Sequence, residues 1–262
     1  MTQAALQEQR RRELIAQLLA EEPEYKDLAI PADETDQRQL LRALMNVRPP
    51  RAVPRRFLEV QDAYLQAENA ARGITDADTL PEVEPGICLW QGDITTLRCD
   101  VIVNAANSGM TGCYVPNHRC IDNCIHTFAG VQLRQTCAEL MRRQGHEEPT
   151  GTAKLTPAYN LPCQYVLHTV GPIVQGPLTA RHKAQLASCY RTCLELAAAH
   201  GLHSVAFCCI STGVFGYPQQ AAAETAVATV REFLQTKTSI QRVIFNVFTS
   251  TDREIYADLL GH

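Results

Sequence analysis

The feature that most constrains the fold of this chain is an alternation of short apolar segments with longer amphipathic segments, which begins near Val83. The apolar segments have the length of buried strands, and the segments between them have helical spacing. Strands separated by helices form mainly parallel pairs, and their sheet needs a helical layer on each face. The pattern predicts an α/β fold, with three α/β/α layers around a mixed, largely parallel sheet. Strands are expected at 87–90, 100–103, 151–157, 165–170, 204–210 and 242–248, and helices at 121–144 (with Gly130 as a candidate break), 179–200, 219–235 and 252–260.

The first 80 residues lack this alternation and have helical spacing instead. Helices are predicted at 3–20, from Thr35 to Arg48, and at 55–72, where Pro49-Pro50 and Gly73 supply the stop signals. No set of catalytic side chains occurs in this part. We therefore divide the chain into a helical N-terminal extension, residues 1–80, and an α/β domain, residues 83–262. A role of the extension as a lid or as a partner surface stays open.

Charge and composition exclude several classes of function. The net charge of −4 and the pI near 6.1 provide no basic field, so neither nucleic acid nor an anionic membrane is an expected partner. The sequence has no apolar run of membrane-spanning length and no signal-peptide core, so we expect a cytoplasmic protein. Eleven cysteines are an odd number, and several lie in apolar strands, which argues against a secreted disulfide framework. Cys137, Cys189 and Cys193 fit core packing.

A loop between a predicted strand and a predicted helix groups metal-binding residues. Cys113, His118 and Cys120 lie within eight residues, and Pro116 stiffens the turn between them. Two thiolates and one imidazole suit zinc, and three protein ligands leave a fourth position open, as in catalytic sites. Cys124 is the alternative fourth ligand of a structural site, although a helical residue there is expected to point into the core. We favour one catalytic Zn²⁺ per chain.

Three loops should meet at one edge of the sheet, because ligands of such folds bind at the carboxyl ends of the strands. The loops are 92–95, 104–121 and 211–218. In the last, Ser211-Thr212-Gly213-Val214-Phe215-Gly216 allows close approach of backbone N–H groups to an anion, and a helix follows. A plain strand-to-helix turn is the alternative. The loop has no lysine of the Walker type.

Several of these motifs together resemble the macrodomain family, most closely its ADP-ribosyl-hydrolase branch, over about residues 85–260. In common hydrolytic macrodomains a glycine-rich loop follows the Asn-Ala-Ala-Asn motif. Here the loop 108–121 is longer and contains the cysteines, which resembles the zinc-containing microbial class, often encoded beside a macrodomain-linked sirtuin that attaches ADP-ribose to proteins. The motifs are Gly92-Asp93-Ile94-Thr95, Val103-Asn104-Ala105-Ala106-Asn107, Ile125-His126, Gly151-Thr152-Ala153, His168-Thr169-Val170-Gly171-Pro172 and 210–218.

The resemblance implies roles for residues at the adenine end of the ligand. The Asp93 carboxylate would bind the adenine amino group, with the Ile94 N–H nearby, and a turn or helix cap is the alternative for Asp93. Phe248 would pack against adenine or else belong to the core.

At the other end of the ligand, the resemblance implies contacts with the diphosphate and the distal ribose. Asn107 and Asp122 would be catalytic as well as ligand-binding, while Asn104 would brace the turn. Asp122 is equally suited to capping its helix. His126 and His168 are expected to be packed histidines. The further ligand-binding residues are Cys120, Ile121, Ser211, Thr212, Gly213, Val214 and Phe215.

The implied function is a zinc-dependent hydrolase that removes mono-ADP-ribose from protein side chains, by attack at C1″ of an ester to Asp or Glu, and releases ADP-ribose. Zinc as a Lewis acid and zinc as an activator of water both stay open. The alternatives are a non-catalytic ADP-ribose reader and an O-acetyl-ADP-ribose deacetylase.

Overall fold

The computed structural model describes residues 2–25 and 27–261, so the predicted domain limits at Met1 and His262 lie outside the described residues. It begins with three helices, α1 Gln3–Ala20, α2 Glu34–Val47 and α3 Arg55–Ala71. Thr2 and Asp33 cap the first two with side-chain oxygens. The apolar faces of the three helices form a separate core, to which Val131 also belongs. Its members from the helices include Leu14, Ile15, Leu18, Leu41, Leu44, Phe57, Val60 and Leu65.

A seven-stranded sheet forms the centre of the remaining chain, in the order β2-β3-β9-β8-β5-β7-β6. β2 and β6 are antiparallel to their neighbours at the two edges, and the five strands between them are parallel. Two further strands, β1 and β4, pair outside this sheet. The strands are β1 Thr75–Asp76, β2 Glu82–Glu84, β3 Ile87–Gln91, β4 Leu97–Arg98, β5 Val101–Ala106, β6 Ala153–Pro157, β7 Tyr165–Val170, β8 Ser204–Phe207 and β9 Arg242–Val247.

Helices cover both faces of this sheet, which confirms the predicted mixed α/β class. α4 Ile121–Ala129 and α5 Val131–Gln144 lie on one face, and the N-terminal helices pack against α4. α6 Ala180–Ala199, α7 Gln219–Leu234 and α8 Ser250–Leu260 contact one another on the opposite face. Crossovers between parallel strands are right-handed, so the direction of a connection along the sheet decides which face its helix covers. The connections β7-α6-β8 and β8-α7-β9 run in one direction along the sheet, and the connection from β5 through α4 and α5 runs in the opposite direction. The two groups of helices therefore lie on opposite faces. In the described part of the chain, no helix is both long and apolar enough to span a membrane.

Near the site, the structure corrects one predicted boundary, the end of β5, and confirms the candidate break at Gly130. β5 continues to Ala106, so Asn104-Ala105-Ala106 belongs to a strand paired with β7 and does not form a turn. A strand can contain a buried asparagine here because the Asn104 Nδ2 group has two partners, Asp122 Oδ1 and His168 Nδ1. Its Oδ1 atom is buried without a partner among the described residues. The predicted helix 121–144 is two helices, since Gly130 has φ +99°, a conformation that interrupts helical geometry.

Candidate functional site

The order of the parallel strands fixes the order of the loops at their carboxyl edge. Asp93 follows β3, and Phe248 follows the next strand, β9. The loop 208–218 follows β8, and Asn107 follows β5. Asn107 leads into residues 108–120, here called the cysteine loop. Three strand spacings separate the ends of β3 and β5, about 14 Å. An elongated ligand lying along this edge meets these segments in turn. Of the eight large apolar side chains that are exposed among the described residues, five lie on these loops or on the loop after β7: Tyr114, Val115, Ile173, Val214 and Phe248.

At the β3 end, Asp93 has two structural partners. One carboxylate oxygen accepts from the Thr95 N–H (2.9 Å) and caps the short 3₁₀ helix Ile94–Thr96. The other oxygen accepts from Arg72, which lies directly after α3 and is stacked 3.6 Å above the Phe128 ring. The capping interpretation of Asp93 is therefore correct, and the carboxylate also stays half-exposed beside the edge.

Phe248 lies next to this position, because Val247 pairs with Gln91 at the ends of β9 and β3. Its side chain is 76% exposed, which rules out the core role and leaves the ring free to cover a planar ligand.

The loop after β8 presents unpaired backbone donors. Within residues 2–25 and 27–261, no acceptor receives the N–H groups of Gly213, Val214 or Phe215. The Phe215 carbonyl accepts from the Val174 N–H (2.8 Å), which anchors the loop to the segment after β7. Ser211 has φ +67°, and its buried hydroxyl has no partner in the described chain. Three free N–H groups in succession are the kind of donor set that anion-binding loops use.

At the β5 end, two asparagines hold Asp122 at the start of α4. Asn104 donates to one carboxylate oxygen (2.8 Å), and Asn107 lies 3.4 Å from the other. The Asn104 amide also lies 3.1 Å from His168 Nδ1, so this nitrogen is the acceptor and Nε2 carries the proton toward Thr156 Oγ1 (2.9 Å). Burial lowers the pKa of His168 to about 3, in accord with a neutral ring.

Asp122 is directed into the protein and does not cap α4. The cap is Cys120, whose Sγ accepts from the Asn123 N–H (3.4 Å). Burial raises the pKa of Asp122 to about 6, against the opposing effects of the Asn104 hydrogen bond and the Arg134 charge. A carboxyl group in this range suits proton transfer near neutral pH.

Between β5 and α4, the three predicted metal ligands lie together. The ligand atoms of Cys113, His118 and Cys120 are within 4.8 Å of one another, and Cys113 Sγ is 3.5 Å from His118 Nδ1. All three are half-buried. Burial raises the pKa of the Cys120 thiol to about 12, so this group needs a cation to become a thiolate.

This donor set fits a zinc ion with one position left for another ligand. Cys124 is not part of the group, and its Sγ lies instead 3.5 Å from Arg42. Cys120, Ile121 and Asp122 are consecutive, so the candidate ligand Cys120 and the Asp122 carboxyl group both lie at the N-terminal end of α4.

A second group of potential ligand atoms, His126, Cys137 and His168, is buried. His168 uses both ring nitrogens in hydrogen bonds, and His126 packs under the cysteine loop, where a Cβ on Gly112 would lie 2.8 Å from its ring. These histidines are packed, as the sequence predicted.

Sequence reasoning missed the arginines that approach the site from other elements. Arg72 contacts Asp93, Arg42 of α2 contacts the cysteine loop, and buried Arg134 of α5 donates to the carbonyl oxygens of Thr111 (2.7 Å) and Cys113 (3.3 Å). The sequence signal for such a contact is an arginine among the apolar positions of a helix. This signal is weak, because arginines with the same spacing are common on solvent-exposed helix faces.

Fold and loops together define a class of α/β/α domain with one binding edge for an elongated ligand. Comparison with known proteins narrows this class. The sequence profile of the Macro domain matches residues 103–226. The protein-ADP-ribose hydrolase of Treponema medium is 57% identical over 259 residues, 97% of this chain and 99% of that protein. The protein-ADP-ribose hydrolase of Staphylococcus aureus (strain Mu50) is 48% identical over 250 residues, 95% of this chain and 94% of that protein. The chain belongs to the macrodomain family.

A solved structure agrees with this assignment. A variant of the Oceanobacillus iheyensis macrodomain, determined with ADPR, superposes with a TM-score of 0.63 at 35% identity, covering 70% of this chain and 96% of that one.

Proposed function

We propose that this chain is a zinc-dependent hydrolase that removes mono-ADP-ribose from modified side chains of proteins. The observation that carries the proposal is the Cys113–His118–Cys120 group beside Asp122, at the end of the edge opposite Asp93. The name protein-ADP-ribose hydrolase of the Treponema medium and Staphylococcus aureus relatives supports it. The proposed substrate is an ester between C1″ of the distal ribose and an Asp or Glu side chain, as the resemblance implies. A transferase of the sirtuin kind would attach the group.

The binding part of the proposal follows the order of the loops. Asp93 accepts a hydrogen bond from the adenine amino group, and Phe248 covers the base. The free N–H groups of Gly213, Val214 and Phe215 hold the diphosphate. Asn107 then contacts the distal ribose, which places C1″ near Asp122.

In the chemical part of the proposal, water cleaves the ester to give free ADP-ribose and an unmodified carboxyl group. Asp122 accepts a proton from that water, and Asn104 holds the carboxylate in position. Cys113, His118 and Cys120 would hold a zinc ion, which supplies Lewis-acid chemistry beside the ribose when bound.

Replacement of one ligand tests the proposal without removing the helix cap. We expect Cys113→Ala to lower the release of ADP-ribose from a mono-ADP-ribosylated protein by at least about 10²-fold, because a metal ion contributes several kcal/mol to such reactions. Binding of free ADP-ribose should survive. Cys124→Ala is the matched control, a half-buried cysteine outside the group, and should retain turnover.

Other outcomes would identify the alternatives. Full turnover by metal-free protein would overturn the metal requirement. Tight binding of ADP-ribose without any release from the modified protein would indicate a reader. Turnover of O-acetyl-ADP-ribose alone would indicate a deacetylase.

A further inference from the structure

An arginine of the N-terminal helices reaches the loop of the three candidate metal ligands. Arg42, in the second half of α2, points one guanidinium nitrogen, Nη2, at three acceptors. It lies 2.8 Å from the carbonyl oxygen of His118, 3.0 Å from Asn123 Oδ1 and 3.5 Å from Cys124 Sγ. Arg42 thus holds the backbone of one candidate ligand directly and contacts the first turn of α4.

The contact with Asn123 extends the effect of Arg42 to the remainder of the loop. Asn123 is fully buried. Its Nδ2 donates to the carbonyl oxygens of Val115 (3.0 Å) and Cys113 (3.4 Å), and its backbone N–H donates to Cys120 Sγ (3.4 Å). Arg42 makes the shorter contact with Oδ1 (3.0 Å, against 3.3 Å for Thr127 Oγ1), and it thereby helps to fix which side of the amide faces these carbonyls. All three candidate ligands are therefore within one or two hydrogen bonds of Arg42.

The loop has no regular secondary structure, so side chains from other elements hold much of it in place. Its residues 107–120 contain no regular helix or strand, and Asn117 adopts φ +56°. The Asn117 N–H donates to Asn46 Oδ1 (2.9 Å), a second contact from α2. Arg134 donates to the Cys113 carbonyl oxygen and to carbonyl oxygens at the C-terminal end of α2, so it fastens the same two segments together. Helix α2 therefore contacts the second half of the loop directly, at Asn117 through Asn46 and at His118 through Arg42.

We infer that Arg42 is a positioning residue for the metal site, so that the N-terminal helices set the affinity of the Cys113–His118–Cys120 group for zinc. The inference rests on the proposed function, because it requires that this group binds zinc. Residues that orient metal ligands typically change metal affinity by about 10- to 100-fold when they are replaced. Arg42 acts on the position of the ligands and does not touch the substrate.

The test compares two arginines of the same helix. We expect Arg42→Ala to weaken zinc binding by about 10- to 100-fold, measured by competition with a chromophoric chelator. Arg38→Ala is the matched control: Arg38 lies one turn earlier, pairs with Glu34 (2.7 Å) and Glu68, and has no hydrogen bond to the loop among the described residues. Its zinc affinity should equal that of the wild type. Arg42→Lys keeps the positive charge, but its ammonium group has a different reach and donor geometry from Nη2, so its zinc affinity should fall between those of Arg42→Ala and the wild type.

A second measurement covers the case in which Arg42→Ala is too unstable to assay. In metal-free protein, hydrogen exchange of the peptide 113–120 should be faster in Arg42→Lys than in Arg38→Ala, because the carbonyl oxygen of His118 and the Asn123 amide lose part of their restraint. Equal zinc affinity of wild type, Arg42→Lys and Arg42→Ala would overturn the inference and leave the proposed function intact. A wild-type protein that binds no zinc would overturn the metal requirement of the proposed function and the inference with it.

Discussion

Arg72 shows how a single residue from outside the α/β core can shape the binding edge. Its guanidinium group contacts Asp93, donates to Thr95 Oγ1 (2.6 Å) and Asn69 Oδ1 (3.1 Å), and stacks on Phe128. Arg72 holds the Asp93 carboxylate to which the proposed function assigns the adenine amino group. We expect Arg72→Ala to raise the Kd of ADP-ribose by about 10-fold, which corresponds to roughly the loss of one hydrogen bond to a charged group. Isothermal titration calorimetry measures this change.

Zinc affinity provides the internal control for Arg72→Ala, since Asp93 and the cysteine loop lie at opposite ends of the edge. Arg98→Ala is a matched control, because Arg98 is exposed and pairs only with Asp76 among the described residues. Unchanged ADP-ribose affinity in Arg72→Ala would show that Asp93 needs no support from the N-terminal helices.

At the scale of residues, the sequence predicted contacts between side chains that are close together in the chain. It did not predict contacts between side chains that are far apart in the chain. Cys113, His118 and Cys120 lie within eight residues, so their spacing alone predicted a group of ligand atoms. Arg42 is 76 residues from His118, and no local pattern connects the two. The same holds for Asn104, whose role in holding Asp122 follows from the continuation of β5, not from a turn.

At the scale of elements, the loop after β8 depends on a glycine of the neighbouring loop. A Cβ on Gly171 would collide with Ser211, whose hydroxyl occupies that space. We expect Gly171→Ala to displace the loop and raise the Kd of ADP-ribose, because the free N–H groups of residues 213–215, to which the proposed function assigns the diphosphate, would move with Ser211. Zinc affinity, measured in the same variant, should stay unchanged, since the cysteine loop has separate contacts. Equal ADP-ribose affinity of variant and wild type would argue against an anion cradle in this loop.

The sequence predicted most strands and helices of the α/β part, because buried parallel strands are continuous apolar runs. It failed on β1, β2 and β4, each with only two or three residues, where pairing is decided by tertiary contacts. It also ended β5 too early, since Asn104 is polar, and the two partners of its Nδ2 group lie on other elements, α4 and β7.

At the scale of the whole molecule, the described chain has two apolar cores, and the helices that contain the first pack on α4 beside the site. The N-terminal helices bury Leu14, Phe57 and their neighbours in one cluster, and the sheet with its helices forms the other. Periodicity predicted the three helices, but it contains no information on which surface they cover. They lie on α4, where polar contacts such as those of Arg42 and Asn46 decide the position.

This arrangement predicts that a substitution in the N-terminal core loosens the cysteine loop. Leu14→Ala removes a fully buried side chain from that core and should cost about 2–5 kcal/mol in the free energy of unfolding. Leu194→Ala, equally buried in the main core on α6, should cost a similar amount. Only Leu14→Ala should also accelerate hydrogen exchange of residues 113–120 under native conditions, because local opening of α1–α3 releases the contacts that α2 makes with the loop. If both variants protect that peptide equally, the loop keeps its shape without the N-terminal helices.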